Sequence, residues 1–147
     1  LGWPSCRRQC QRHIRLAGSA HFPRQAIALS GSWDGTLRMW DLSQGVTLKE
    51  MTGHAGAIWR VFADWDSGQA LSMGADHELR LWDLSNGETI QKFGGGESLQ
   101  TVHVNWTSHQ ALTAHGHGSL KLWDLSTGEL LNTVSSPCST AVLCMVV

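Results

Sequence analysis

The chain has 147 residues and a formal net charge of −1, and 41% of its residues are hydrophobic. This length is enough for one domain with a hydrophobic core. Because the sequence contains neither a basic stripe nor an apolar run long enough to span a bilayer, we expect neither a nucleic acid nor a membrane as a partner.

The cysteines lie near the two ends of the chain, at Cys6, Cys10, Cys138 and Cys144. Their spacings, C-x3-C and C-x5-C, differ from those of the usual zinc-binding pairs. We therefore expect free thiols in a reducing compartment, and an intracellular protein of the cytoplasm or the nucleus. We expect no metal ion and no cofactor.

One phrase occurs three times in the chain. It reads SGSWDGTLRMWD at 30–41, SMGADHELRLWD at 72–83 and TAHGHGSLKLWD at 113–124. Trp40 and Trp82 are 42 residues apart, and Trp82 and Trp123 are 41 apart. A fixed period of about 40 residues indicates a repeat architecture, in which each unit needs its neighbours to bury its hydrophobic face.

Alternation of apolar residues within each unit predicts strands. Leu79 and Leu81 share one face of such a strand, and Arg80 and Trp82 share the other, which is the period of 2 typical of a strand. The predicted strands are 57–63, 69–74, 79–83 and 89–93 in the second copy, and 98–104, 110–115, 120–124 and 130–134 in the third. Four antiparallel strands in 41 residues correspond to one blade of a β-propeller.

Turn signals separate these strands. The predicted turns lie at Asp34-Gly35 and His117-Gly118, at Gln44-Gly45, Asn86-Gly87 and Thr127-Gly128, and at Asp66-Ser67-Gly68. Glycine suits the positive φ that a tight hairpin turn requires.

The chain resembles the WD-repeat family of β-propellers. The residues that carry this resemblance are Gly53-His54, Ser72, Asp76 and Trp82-Asp83, together with the two further copies of the phrase. The resemblance covers residues 25–147 and implies an all-β fold, an incomplete arc of about three blades. The implied division is 1–24 as a degenerate segment or partial strand, 25–53, 54–94 and 95–135 as the first to third repeats, and 136–147 as the start of a truncated fourth.

In that family a buried network joins a His, a Ser or Thr, a turn Asp and the Trp of each blade. By this resemblance the network residues are His54, Ser72, Asp76 and Trp82 in the second copy, Ser30, Asp34 and Trp40 in the first, and Thr113 and Trp123 in the third. The third copy has Gly95 in place of the His and His117 in place of the Asp, so only the second network is complete. His117 could bond Thr113 locally. The resemblance implies no catalytic residue, because this Ser, His and Asp should be buried.

The resemblance also implies a partner-binding face formed by the loops of the blades. Its positions are Trp33 in the first copy, Ala57, Trp59 and Ala75 in the second, and Ser98, Gln100 and Gly116 in the third. Trp33 and Trp59 are expected to lie near one another, and tryptophan is enriched among interface hot spots. Alternatively, Trp33 shields its own turn and Trp59 packs against the next blade. Trp65 and Trp106 are predicted on the opposite face, packed between blades.

Two other sets of recurring residues each allow a ligand-binding role or a purely structural one. Arg38, Arg80 and Lys121 could stack on aromatic rings or bind an acidic or phosphorylated ligand. The third copy is rich in histidine, at His103, His109, His115 and His117, which suggests either a metal site or solvated loop residues; we favour the latter.

Together these features predict a non-catalytic scaffold that docks protein or peptide partners. The alternative is the WD-repeat recognition part of a larger signalling ATPase or ubiquitin-ligase substrate receptor, although no GxxxxGK[ST] loop is present in the chain. Residues 1–24 fit the repeat badly: they form a degenerate strand, a linker or a segment outside the propeller. Propellers have about 4–8 blades, so the missing blades come from the same parent chain, which we favour because the chain starts at Leu1, or from other copies.

Overall fold

The computed structural model describes residues 26–94 and 98–135, and these residues form strands, turns and loops without any helix. The first sheet contains β1 (Ile27–Gly31), β2 (Leu37–Asp41) and β3 (Val46–Met51). The second contains β4 (Ile58–Asp64), β5 (Gln69–Gly74), β6 (Glu78–Asp83) and β7 (Thr89–Gly94). The third contains β8 (Leu99–Asn105), β9 (Gln110–His115), β10 (Ser119–Asp124) and β11 (Leu130–Ser135).

Each sheet is an antiparallel meander in which strands adjacent in sequence are hydrogen-bonded neighbours. The all-β prediction is confirmed, and every predicted strand of the second and third copies begins and ends within one residue of the observed strand. We refer to the three sheets as the first, second and third blades. No helix that could cross a membrane occurs among the described residues.

A β-bulge interrupts the first strand pair of the second and third blades. Ile58 pairs with Gly74 and Arg60 pairs with Met73, so Trp59 has no partner on β5. Gln100 is left out in the same way between β8 and β9. A bulge bends its strand and redirects the side chain of the extra residue. The side chains of Trp59 and Gln100 therefore do not follow the regular alternation of their strands.

The predicted turns have the expected backbone conformation. Gly35 has a φ of 81°, and Gly118 has a φ of 77°. Two histidines occupy positions where another copy has glycine: His77 has a φ of 62°, and His109, which corresponds to Gly68, has a φ of 50°. The left-handed conformation is therefore retained in these turns even where the side chain disfavours it.

Gly68→Ala is expected to lower the free energy of unfolding by about 1 kcal/mol, because an alanine is strained at positive φ. Gly68 has a φ of 69°, and a Cβ there would meet no atom within 4 Å, so the loss reports the backbone conformation alone. Urea denaturation measures it. His109→Gly in the corresponding turn should change stability in the opposite direction or leave it unchanged. A Gly68→Ala variant as stable as the parent would show that the turn relaxes.

The hydrophobic core lies between the blades. One cluster joins Leu37 and Met51 of the first blade to Ala70, Trp82 and Leu84 of the second. The other joins the opposite face of the second blade to the third blade, and its largest members include Leu71, Met73, Leu79, Leu81 and Phe93. Both faces of the second blade are thus buried, which is why its strands β5 and β6 are buried along nearly their whole length.

Trp65 and Trp106 pack against these inter-blade clusters. Trp65 is partly buried against the cluster between the first and second blades, and Trp106 against the one between the second and third. The prediction of inter-blade packing for these two tryptophans is confirmed.

Candidate interaction surface and its supporting networks

The second blade contains a continuous hydrogen-bond network in its interior. Trp82 Nε1 donates to Ser72 Oγ at 2.8 Å, and Ser72 Oγ lies 2.7 Å from His54 Nε2. His54 Nδ1 lies 2.9 Å from both carboxylate oxygens of Asp76. Ser72 and Trp82 are fully buried, and His54 is 8% exposed. The structure therefore joins the four residues of the second copy in one chain of hydrogen bonds from Trp82 to Asp76.

The hydrogen bonds assign one tautomer to His54. Ser72 Oγ accepts the Trp82 N–H, so its own proton is free to be donated to His54 Nε2, while His54 Nδ1–H donates to Asp76. A second proton on the ring would deprive the Ser72 hydroxyl of its acceptor. Burial lowers the pKa of His54 below its usual 6.5, although the hydrogen bond to Asp76 works in the opposite direction.

Asp76 connects two loops at the same end of the blade. Burial alone would raise its pKa, but hydrogen bonds from the Ala55 N–H and from His54 outweigh that effect, and the pKa of Asp76 is lowered. The Ala55 N–H lies 2.9 Å from the carboxylate, and the Glu78 N–H lies at 3.3 Å. One side chain thereby holds the loop before β4 and the turn between β5 and β6.

In the first blade the turn aspartate, Asp34, forms its hydrogen bonds within its own turn. Trp40 Nε1 donates to Ser30 Oγ at 2.8 Å. Asp34 accepts hydrogen bonds from the Thr36 hydroxyl at 2.6 Å and the Thr36 N–H at 2.9 Å, and Arg38 lies 3.2 Å away. The Thr36 hydrogen bonds are the main reason that the pKa of Asp34 is lowered to about 2. Hydrogen bonds inside the turn that carries Trp33 therefore stabilise it.

The third blade replaces the missing histidine with a different one. Trp123 Nε1 donates to Thr113 Oγ1 at 3.0 Å, and the second ring on that hydroxyl belongs to His115, whose Nε2 lies 3.0 Å away. The expectation that His117 would contact Thr113 is wrong: His115 is buried, whereas the side chain of His117 is exposed.

The position of His115 has a steric explanation. His115 corresponds to Gly74 of the second blade, where a Cβ would lie 2.5 Å from both His54 Nδ1 and Asp76 Oδ1. A side chain fits there only when the residues at the positions of His54 and Asp76 are changed, and the third copy has Gly95 and His117 at those positions. The paired exchange of His and Gly between two aligned positions was the sequence signal for His115.

Trp33 and Trp59 are the most exposed tryptophans among the described residues, at 64% and 43%. The backbone brings their segments together, because Ile58 N–H donates to the Ser32 carbonyl at 2.9 Å. Gly35 lies so close to the loop before β4 that a Cβ there would be 2.8 Å from the His54 carbonyl oxygen. The turn of the first blade thus lies directly against the segment that leads into Trp59.

Trp59 also has a contact within its own blade. Its ring meets that of His77 edge to face, with 6.4 Å between centroids and an interplanar angle of 71°. Such a contact limits the rotation of the indole while leaving much of it exposed to solvent.

The remaining predicted positions form short hydrogen-bonded pairs. Ala75 N–H donates to the Ala57 carbonyl at 2.7 Å, and Gly116 N–H donates to the Ser98 carbonyl at 2.8 Å. Gln100 Nε2 donates to Ser98 Oγ at 2.8 Å. The two backbone pairs each join the start of a blade's first strand to the turn between its second and third strands. The structure thereby groups the predicted positions within the second blade and within the third.

The two recurring arginines form ion pairs inside their own blades. Arg38 contacts Glu50 at 2.9 Å as well as Asp34, and the buried Arg80 contacts Glu78 at 2.6 Å. These carboxylates occupy the guanidinium groups that an anionic ligand would need. Within 26–94 and 98–135, no group of three or more His, Cys, Asp or Glu side chains is placed to hold a metal ion.

Comparison with known proteins gives matches over parts of the chain. The family model described as "WD domain, G-beta repeat" matches residues 5–41. The match begins within the segment 1–24, which lies before the first residue that the structure describes.

Three of the matching curated relatives are named small ribosomal subunit protein RACK1 or RACK1z. The protein of Dictyostelium discoideum is 43% identical over 44 residues, which are 25% of this chain and 13% of the relative. RACK1z of Oryza sativa subsp. japonica is 53% identical over 38 residues, 21% of this chain and 11% of the relative. The Caenorhabditis elegans protein is 48% identical over 42 residues, 24% of this chain and 13% of the relative. The aligned part therefore spans only a small fraction of each relative.

Proposed function

We propose that the chain is a WD-repeat protein and acts as a non-catalytic scaffold that binds protein or peptide partners; the partial family match and the partial matches to RACK1 proteins support this. Binding takes place on the face formed by the turn of the first blade and the start of the second. The observation that carries this proposal is the exposure of Trp33 and Trp59 on segments joined by the Ser32–Ile58 hydrogen bond.

Two large aromatic side chains in this position fit the energetics of protein recognition. Tryptophan supplies much apolar area at a small entropic cost, and one such anchor contributes roughly 2 kcal/mol or more. The networks around Asp34 and Asp76 fix the loops beneath both rings. A partner would therefore meet a surface that is ordered before binding, which reduces the entropic cost of association.

The non-catalytic part of the proposal is supported by the burial of the one set that resembles a hydrolase triad. Ser72 is fully buried, and its hydroxyl is engaged by both Trp82 and His54. A nucleophile must reach a substrate carbonyl, and this oxygen is enclosed within the blade.

We also propose an intracellular location and the division into repeats at 25–53, 54–94 and 95–135. The family match from residue 5 favours the partial-strand interpretation of the segment 1–24. The loop-face positions Ala57, Ala75, Ser98, Gln100 and Gly116 form the remainder of the proposed surface.

Trp33→Ala combined with Trp59→Ala is expected to weaken partner capture by at least about 30-fold, because two hot-spot anchors are lost. The tagged chain is incubated with a lysate, and the retained proteins are quantified by mass spectrometry for the parent and the variant. Far-UV circular dichroism should be unchanged, because both side chains are exposed.

The matched control is Leu48→Ala combined with Ile90→Ala, which removes two side chains that are 45% and 48% exposed on outer strands. Partners lost from the tryptophan variant should be retained by this control. If both variants retain the same proteins at the same level, the proposed surface is wrong.

A further inference from the structure

The turn between β5 and β6 contains a histidine at a position where the other two blades have glycine. His77 has a φ of 62°, and the aligned Gly35 and Gly118 have φ values of 81° and 77°. All three turns share one hydrogen bond, in which the N–H of this residue donates to the carbonyl three residues earlier, at 3.1, 3.2 and 3.0 Å. Glycine would therefore form the same turn without the steric cost that a side chain adds at positive φ.

A second unfavourable feature belongs to the same side chain. His77 is partly buried, and its Nδ1 is enclosed without a hydrogen-bond partner among the residues that the structure describes. Such a nitrogen loses the hydrogen bonds that it makes with water in the unfolded chain. Glycine would avoid this loss as well, so the stability of the turn does not explain the histidine.

The ring of His77 makes a contact that glycine could not make. It meets the indole of Trp59 edge to face, with 6.4 Å between the ring centroids. Trp59 is the extra residue of the bulge in β4 and is 43% exposed. Because a bulged residue has no opposite partner in the ladder, the neighbouring strand does not fix the direction of the indole, and the ring of His77 restricts it instead.

The third blade lacks both members of this pair. Gln100 occupies the bulge position of Trp59, and Gly118 occupies the turn position of His77. Gln100 Nε2 donates to Ser98 Oγ at 2.8 Å, so a local hydrogen bond holds its side chain. The unfavourable turn residue thus occurs where an exposed tryptophan lies at the bulge, and glycine occurs where the bulged side chain is held in another way.

We infer that His77 is a positioning residue of the proposed partner-binding surface: its ring holds the Trp59 indole in the orientation in which the indole meets a partner. The inference rests on the proposed function, in which Trp59 is one of two anchors. Sparsely populated backbone conformations persist where the surrounding structure fixes them, and they cluster at functional sites. An anchor that is ordered before binding also avoids the entropic cost of being fixed by the partner. His77 therefore lowers the stability of its turn and raises the affinity of the surface.

The mobility of the Trp59 indole tests this inference without any partner. In a chain with isotope-labelled tryptophan, the Nε1–H signal of Trp59 is identified by its loss in Trp59→Phe, and its heteronuclear NOE reports motion on the picosecond-to-nanosecond timescale. His77→Gly should lower this NOE, while its urea midpoint should equal or exceed that of the parent. His77→Phe, which keeps a ring at the position, should keep the NOE of the parent.

Binding is measured with the most abundant protein that the parent captures from a lysate and that Trp33→Ala combined with Trp59→Ala loses. This protein is purified and titrated against each variant. His77→Gly should weaken its binding by roughly 2- to 10-fold, since one more side chain must be ordered on association, and His77→Phe should restore the affinity. His109→Gly is the matched control, because it also replaces a histidine at positive φ but lies in a turn of the third blade. It should leave the NOE and the affinity unchanged.

An indole that is equally ordered in His77→Gly would overturn the inference, and so would a urea midpoint below that of the parent, because the histidine would then serve the fold. Unchanged affinity of His77→Gly for the purified protein would contradict it as well. Capture of the same proteins by the parent and by the double tryptophan variant is a different result. It contradicts the proposed function and the inference with it, whereas the other failures concern His77 alone.

Discussion

Replacement of Trp82 by Phe is expected to lower the free energy of unfolding by about 3 kcal/mol. The indole is fully buried between the first and second blades, so the smaller ring leaves a cavity. The N–H that Ser72 Oγ accepts is lost at the same time. Because Ser72 also contacts His54, the loss disturbs the whole network rather than a single bond. Urea denaturation followed by circular dichroism measures the change.

Trp123→Phe is the matched control, because it makes the same chemical change in the third blade. It is expected to lower the free energy of unfolding by about 1 kcal/mol, since Trp123 is only partly buried and water can replace the lost N–H. Thr113 would retain its contacts with His115 and with the Lys121 carbonyl. Equal losses for the two variants would show that burial and the Asp76 link add nothing to the second network.

The protein is expected to lose stability as the pH falls below about 6.5, the usual pKa of histidine. Burial lowers the pKa of folded His54, so the unfolded chain takes up a proton at a higher pH than the folded chain does. The stability that neutral His54 contributes is thus present above pH 6.5 and is lost as the pH falls from 6.5 through the folded pKa of His54. One such group changes stability by at most about 1.4 kcal/mol per pH unit. Asp76, whose folded pKa lies below 3.8, adds a second loss at more acidic pH.

Urea midpoints measured from pH 7.5 to pH 4.5 test this dependence. His54→Gln should be less stable than the parent at pH 7.5 but should show a flatter profile, because the titrating ring is gone. His117→Gln is the control, since His117 is exposed and takes no part in the second-blade network. A parent profile that stays flat from pH 7 to pH 5 would contradict the assignment of a neutral, buried His54.

Local patterns in the sequence were sufficient to place the strands and turns. The alternation in Leu79-Arg80-Leu81-Trp82 directs neighbours to opposite faces, and the two inter-blade clusters divide these residues in that way. Glycines before or within the turns predicted positive φ, which Gly35 and Gly118 show. These features depend on backbone geometry over a few residues, and such geometry follows directly from residue type and spacing.

Contacts between side chains from distant parts of the chain were harder to predict. His115 rather than His117 reaches Thr113, because a strand sends residues i and i+2 to the same face and the third copy has Gly95 where the second has His54. Arg80 bonds Glu78 on its own strand, a partner that its recurrence with Arg38 and Lys121 did not indicate.

The sequence by itself determined the repeat period, the all-β class, the strand limits and the residues of the second network, because each follows from short-range pattern or from resemblance to one repeat. The tertiary structure alone decided which repeated positions are covered. Leu42, Leu84 and Leu125 are equivalent in sequence, yet only the first is exposed, and the same holds for Val134 against Met51 and Phe93. Burial depends on whether a neighbouring blade lies against the face, and equivalent residues in corresponding strands carry no information about that neighbour.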